Sequence, residues 1–165
     1  MEVKSFDIFG IAVKHSKGED KEYNLVESMK RYMENYLNTE VYRNFYLVQV
    51  YPEDFLSGEN QRFVTFLGVR TKDNPANKHL TKLSIPYSKG YAYTFNEKNS
   101  TKSIDEMYEE IYEELEKKGI TLNPNYDFEI WRNAGDIMMY FPVESENIAF
   151  PKLMSLHTFL MDYND

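Results

Sequence analysis

The 165-residue chain predicts an α+β fold made of duplicated β-α-β-β units with antiparallel sheets, two main helices on one face and a C-terminal helical tail. Three observations carry this. Two apolar stripes at helical spacing are each preceded by one short β-type segment and followed by two more. The stripes align, Met29 with Met107, Met33 with Ile111 and Leu37 with Leu115. Turn-forming stretches separate the segments. A unit of about 70 residues is too long for a solenoid repeat, so the pattern reads as a pseudo-symmetric pair of lobes. The expected boundaries are a domain over 1–146, with pseudo-repeats at 1–72 and 87–146, and an extension over 147–165. The seam between two such lobes is a favoured place for a ligand.

Taken in order, Phe6–Lys14 is short, apolar and rich in β-branched residues, and predicts a strand. Leu25, Met29, Tyr32, Met33, Tyr36 and Leu37 then form one helical stripe, with Asn24 and Glu27 as a candidate capping pair. Strands follow at Asn44–Tyr51 and Arg62–Arg70, and residues 71–88 read as a connection containing Pro75 and Pro86. Gly90–Phe95 alternates large and small side chains, as a half-buried strand does. Ser103 and Glu106 form a capping box for a helix striped by Ile104, Met107, Tyr108, Ile111, Tyr112 and Leu115, and Gly119 is placed to end it. Asp127–Arg132 and Ile137–Val143 read as a hairpin across 133–136, and Lys152–Tyr163 as a docked helix behind Pro151.

Composition excludes several functions. The formal net charge is −8 and no basic face is evident, so phosphate-driven nucleic-acid binding is not expected. With no cysteine there is neither a disulfide framework nor a thiolate zinc site. His15, His79 and His157 lack ligand spacing and read as surface or rim imidazoles, so no metal is expected. No phosphate-binding glycine loop or Gly-x-Ser-x-Gly elbow occurs, and no cofactor is expected. Neither a signal peptide nor an apolar stretch of membrane-spanning length is present, which makes the cytoplasm the expected location and a monomer or homodimer the expected state. Aromatic residues make up 16% of the chain, a share that suits an aromatic cleft wall as well as a core.

Side chains alternate along Asp127–Arg132, so Asp127, Glu129 and Trp131 share a face opposite to Phe128 and Ile130. The expectation puts Phe128 and Ile130 under the helices, and Glu129 with Trp131, the only tryptophan, on the face away from them. A carboxylate beside an indole suits a cation; an exposed glutamate on a hairpin is the plainer alternative. Tyr91, Tyr93 and Phe95 share one face of their strand, and the pattern leaves open whether that face meets the helices or a cleft. Tyr46 and Phe66 are candidates for the opposite wall. Tyr108 and Tyr112 lie on the helix stripe, where core packing is the commoner role, with hydroxyls able to reach a cleft floor. Met29, Met33, Met107, Met138 and Met139 would serve an adaptable lining or the core.

The run Gly90-Tyr91-Ala92, then Tyr108 to Leu115 and Gly119, then Asp127 to Trp131, then Asp136 to Val143, resembles the GyrI-like family in order and spacing. The resemblance covers residues 1–146 and is most specific between Gly90 and Val143. It implies a duplicated β-α-β-β domain with a hydrophobic cleft between its halves, as in the effector-binding domains of bacterial multidrug-responsive regulators. The family's cleft acid maps onto Glu129, with Trp131 where tyrosine is commoner. Asn96–Ser100 departs from the family's His-x-Gly-like turn, and the chain carries no helix-turn-helix segment. The expected function is therefore that of a stand-alone binder of a hydrophobic, aromatic or cationic small molecule, acting as sensor or sequestering module. Two alternatives remain: a small hydrolase of reactive electrophiles with Glu129 as general base and a tyrosine as proton donor, and a gyrase-inhibitor-like protein interaction.

Overall fold

The computed structural model describes residues 1–19, 24–35, 44–55, 62–70, 80–132 and 135–156. In chain order these form β1 (Glu2–Val3), β2 (Phe6–His15), α1 (Leu25–Glu34), β3 (Phe45–Val50), β4 (Phe63–Arg70), β5 (Thr81–Ile85), β6 (Ser88–Asn96), α2 (Ile104–Lys117), β7 (Tyr126–Trp131) and β8 (Asp136–Ser145). The strands make one eight-stranded antiparallel sheet in the order β1-β6-β8-β7-β3-β4-β2-β5. From the central β3–β7 contact the order runs β4-β2-β5 one way and β8-β6-β1 the other. Two strands far apart in sequence, Phe45–Val50 and Tyr126–Trp131, therefore pair along their whole length at the middle of the sheet.

The two striped segments are helices over their described residues, Tyr36 and Leu37 of the first lying outside these, and their ends show which terminal signals operate. Ser103 caps α2, its hydroxyl accepting the Glu106 amide at 3.2 Å. At the other end Ile120 N–H donates to the Leu115 carbonyl and Gly119 N–H to that of Glu116, with Gly119 at φ +72°. This is a Schellman ending, which needs a residue that tolerates the left-handed region. Asn24 does not cap α1: it sits at φ 50° with no side-chain hydrogen bond to the helix.

Three further expectations are corrected. The connection assigned to 71–88 contains β5, paired with β2 along Phe6–Gly10; residues 71–79 lie outside those described. The helix expected from Lys152 is not formed at 152–155, and the first helical residue there is Leu156. Because β5 stops at Gly10, the β2 backbone beyond it is open on that side. Met154 N–H donates to the Ala12 carbonyl there at 2.7 Å, and Met154 bridges Val13 in parallel. The remainder of the predicted tail helix, from 157, lies outside the described residues, as does His79. His15 is not a surface imidazole: it is buried, with Nε2 2.6 Å from Thr65 Oγ1.

The face assignment of the sheet is the reverse of the expected one. Ile11, Val13, Leu47, Leu67 and Val69 pack against Leu25, Met29, Tyr32 and Met33 of α1. Phe95, Ile137, Met139 and Phe141 pack against Ile111 and Leu115 of α2. The other face carries Ile8, Ala12, Tyr46, Val48, Val64, Phe66, Tyr126, Phe128 and Tyr140, a third cluster with no helical residue in it. The sheet curls over that face and closes it with Phe6, Leu83, Ile85 and Ile148. Phe128 thus lies in the helix-free core, and the Glu129–Trp131 face looks toward the helices. Met29, Met33, Met138 and Met139 are core residues. No helix among the described residues is long and apolar enough to cross a membrane.

Two glycines test this architecture in different ways. A Cβ on Gly119 would meet nothing within 4 Å, so Gly119→Ala should cost only the left-handed backbone strain, about 1–2 kcal/mol. It is expected to lower the urea midpoint at an unchanged m-value. A Cβ on Gly10 would lie 1.9 Å from the Leu67 carbonyl oxygen, so Gly10→Ala should fail to give a cooperatively folded protein.

Candidate functional site: a carboxyl pair at an aromatic cavity

Strand alternation puts Asp127, Glu129 and Trp131 on the helix face of the central strand β7. Register fixes their neighbours: Asp127 lies opposite Gln49, Glu129 between Leu47 of β3 and Met139 of β8, and Trp131 between Phe45 and Ile137. α1 covers the β3-β4-β2 side of this face and α2 the β8-β6 side. Trp131 packs against both helix-covered clusters, so the indole marks the seam between them.

A cavity of about 730 Å³ opens beside this seam, within the size range of sites that bury drug-sized ligands. Asp127 and Tyr126 contribute to its floor. One wall is Tyr51, Phe55 and Phe63, with ring centroids 4.9 to 5.8 Å apart. The facing wall is Tyr112, Leu115 and Phe141, the last 5.6 Å from the rings of both Tyr112 and Tyr108. The segment Gly119–Pro124 after α2 completes the lining, and the exposed Lys17 and Glu116 add one charge of each sign.

The electrostatics of the floor are unusual. Glu129 is only 9% exposed, and Asp127 is half-buried, with the cavity meeting its surface. Burial raises the Asp127 carboxyl from its ordinary 3.8 to about 7, and the Tyr51 hydroxyl only partly opposes it. Burial first, and the negative charge of Asp127 second, raise Glu129 from 4.5 to about 7. The Tyr108 hydroxyl near Glu129 holds it down. So does the Trp131 indole, which faces Glu129 without reaching hydrogen-bond geometry; its buried Nε1 has no other partner. Burial, then the two carboxylates, push the Tyr51, Tyr108 and Tyr112 hydroxyls well above the ordinary tyrosine range, so all three are neutral donors near neutrality. The ion pairs among the described residues are Arg62–Glu19, Lys102–Glu110 and Lys118–Glu114, and none reaches the carboxyl pair. The described residues hold no group of three or more metal-ligating side chains.

Of the residues singled out in the sequence, Tyr112 lines the cavity, while Glu129 and Trp131 share the β7 face of Asp127 but lie outside the lining. Tyr93 lies behind it, 5.9 Å from the Phe141 ring, and Tyr91 is largely exposed further along β6. Tyr46 and Phe66 do not join them. They pair in register with Ile130 and Val48, on the helix-free face, and are buried in the curled core. Sequence reasoning missed Tyr51, Phe55 and Phe63, and gave Asp127 no role although it shares the face of Glu129.

The raised carboxyls make a stability prediction with a definite sign. Each binds its proton more tightly folded than unfolded, so its contribution is fully present below about pH 4 and is lost as pH rises through about 7. Asp127→Asn removes one of the two groups. Between about pH 5 and pH 8 the wild type should therefore lose more stability than the variant, by at least about 1 kcal/mol in urea unfolding. Parallel pH profiles for the two proteins would show that Asp127 is not held at a raised value.

The sequence matches the family described as Cass2, integron-associated effector binding protein, over residues 1–143. No curated protein matches the chain. Among solved structures, SAV2435 bound to tetraphenylphosphonium aligns with TM-score 0.66 at 12% identity, covering 87% of this chain and 92% of that one. An integron cassette protein from the mobile metagenome of Vibrio cholerae aligns with TM-score 0.59 at 16% identity, over 87% of this chain and 94% of its own. A bacterial transcription regulation protein from Staphylococcus aureus MU50, described as putative, aligns with TM-score 0.59 at 13% identity, over 88% and 96%. At these identities the structures speak for the fold, and the family match over most of the chain speaks for descent: the chain belongs to the integron-associated effector binding proteins, a GyrI-like family.

Proposed function

We propose that the protein binds a hydrophobic cation with aromatic groups in the cavity between Tyr51–Phe63 and Tyr112–Phe141, as a free-standing effector sensor or sequestering module. The observation that carries this reading is a carboxyl pair, half-buried Asp127 and buried Glu129, with no cationic side chain paired to them among the described residues and with aromatic rings lining the cavity that Asp127 meets. A carboxylate removed from water is costly until a positive charge joins it. Aromatic faces add about 0.5–2 kcal/mol for a cation that sheds water among them. Tyr112 and Phe141 supply such faces, Trp131 backs the site, and Tyr93 supports Phe141. On this reading residues 1–146 form the binding domain, its two β-α-β-β units meeting at the β3–β7 pair. The segment from 147 is then a strap held on β2 by Met154. SAV2435, whose structure holds tetraphenylphosphonium, has this fold, which supports the cationic class.

A second reading has one observation in its favour. A carboxyl near pH 7 beside a neutral tyrosine is a workable acid–base pair. Glu129 with Tyr108 would then activate water on a reactive electrophile. Glu129 does not line the cavity, however, and Asp127 does, which places a bound molecule closer to a charge partner than to that pair.

Trp131 is the only tryptophan and reports on the site. Tetraphenylphosphonium should quench its fluorescence saturably, and Asp127→Asn and Glu129→Gln should each weaken binding roughly tenfold, about 1.4 kcal/mol. A neutral triaryl compound of similar size should bind more weakly than the cation. Equal binding of neutral and cationic probes, or no saturable quenching by any cation, defeats the binding reading. Turnover of an electrophile that is lost in Glu129→Gln would favour the hydrolase.

A further inference from the structure

The cavity floor holds more hydrogen-bond acceptors than donors. Gln49 of β3 and Asp127 of β7 are partners in register, so their side chains stand beside each other on the helix face. The Tyr51 hydroxyl joins them, its oxygen 2.8 Å from Gln49 Oε1 and 3.2 Å from Asp127 Oδ2. A phenol has one proton, and three side-chain oxygens stand around it: Gln49 Oε1, Asp127 Oδ1 and Asp127 Oδ2. Two of the three are left without a donor. Turning the Gln49 amide over does not change that count, because its nitrogen would then donate to Tyr51 and its oxygen would be left over. Neighbouring donors are committed elsewhere. Thr65 stands opposite Gln49 on β4, but its hydroxyl lies 2.6 Å from His15 Nε2. His15 Nδ1 donates to the Ser16 carbonyl at 2.9 Å, so in the neutral ring Nε2 accepts the Thr65 proton. The Asn123 amide donates to the Ser145 carbonyl at 3.2 Å. Lys17 lies exposed at the rim and forms no ion pair among the described residues.

We propose that this floor selects aromatic cations that carry N–H donors, such as a protonated arylmethylamine or an aryl guanidinium. The N–H groups would rest on Gln49 and Asp127, with the rings between the Tyr51–Phe63 and Tyr112–Phe141 walls. The inference rests on the cation-binding reading above and narrows it. A ligand cation draws Asp127 to its carboxylate form, whose oxygens only accept. An N–H of a cation donating to a carboxylate makes the shorter and stronger kind of hydrogen bond, and a cation with two N–H groups can serve both acceptors at once. A cation without N–H, tetraphenylphosphonium among them, brings charge and rings but covers these oxygens without serving them. An acceptor cut off from water and left unserved costs free energy that an N–H ligand does not lose. Position favours the contact, since Gln49, Tyr51 and Asp127 all line the cavity together with Phe55, Phe63 and Tyr112. Gln49 is uncharged, so its part is to read the donor and not the charge.

The experiment compares two cations with the same two rings and the same charge, dibenzylammonium and dimethyldibenzylammonium, of which only the first has N–H groups. Calorimetric titration reports the affinity of each. The wild type should bind dibenzylammonium about tenfold more tightly than the quaternary cation. Gln49→Leu removes the neutral acceptor and keeps the charge. It should shrink that preference several-fold while the quaternary cation binds within about twofold of its wild-type affinity. Tyr51→Phe keeps the ring and removes the one internal donor, so the preference should be at least as large as in the wild type. Equal or tighter binding of the quaternary cation to the wild type overturns the proposal. So does an unchanged preference in Gln49→Leu, and so does a preference lost in Tyr51→Phe, which would place the recognition on the hydroxyl. Should Gln49→Leu fail to fold, the wild-type ratio and Tyr51→Phe decide. Binding of tetraphenylphosphonium without binding of dibenzylammonium overturns the proposal and leaves the cation-binding reading intact; failure of every cation to bind removes both.

Discussion

Two acidic side chains on one face of the central strand, Glu129 buried and Asp127 half-buried, with no positive partner among the described residues, set the terms for everything around them. An isolated buried carboxylate is among the costliest groups a protein can hold, and it neutralises or finds donors before it is tolerated. Both responses are visible here. The pair is pushed toward neutrality by burial, and three tyrosines and one indole, rather than lysine or arginine, stand nearest to it. Neutral donors ease an anion without cancelling it, which is why the proposed ligand is a cation. A single arginine would remove that reason. The position also explains how the sheet endures the burden. β7 is paired on both sides, to β3 and β8, and has packed cores on both faces. Strain that would unravel an edge strand is held there by the best-supported backbone in the molecule.

Much of the fold was legible, and the reason differs from element to element. The α2 helix announced itself at both ends, since Ser103 with Glu106 and Gly119 are local signals that act through neighbouring backbone groups. Asn24 has the same chemistry as a cap but adopts a left-handed conformation and makes no side-chain bond to the helix. β5 was hidden because residues 71–88 carry prolines and polar residues, and because a strand at the end of a sheet needs only one paired side. The tail was read as a helix from its apolar content. What governs 152–155 instead is unpaired backbone on β2, which no sequence window around Met154 reveals.

The faces of the sheet were the harder problem. Alternation shows which residues share a face and says nothing about what covers it. Helices on one side suggested that the apolar face of β7 lay beneath them. In β2 and β4 both faces are buried, so no alternation was present to correct that inference. The sheet buries its second face by curling on itself, and that face took Phe128, Tyr46 and Phe66. Glu129 and Trp131 do share a face, because that depends on the two-residue period alone. Tyr46 and Phe66 depended on register between distant strands, which is a tertiary property. Tyr51 was unreadable for the same reason: its hydroxyl meets Asp127 across 76 positions of sequence.

Asp127 is the instructive omission, because its signal was present. It stands two residues before Glu129 and therefore on the same face, yet a family correspondence favours the residue that the motif names. In this chain the cavity meets Asp127 rather than Glu129. On the proposed reading a bound molecule therefore meets Asp127 first, with Glu129 behind it on the same face of β7. A lone cleft acid must either stay charged and repel apolar visitors or stay neutral and attract no cation. Two acids at different depths ease that choice on this reading, because only one of them meets the cavity.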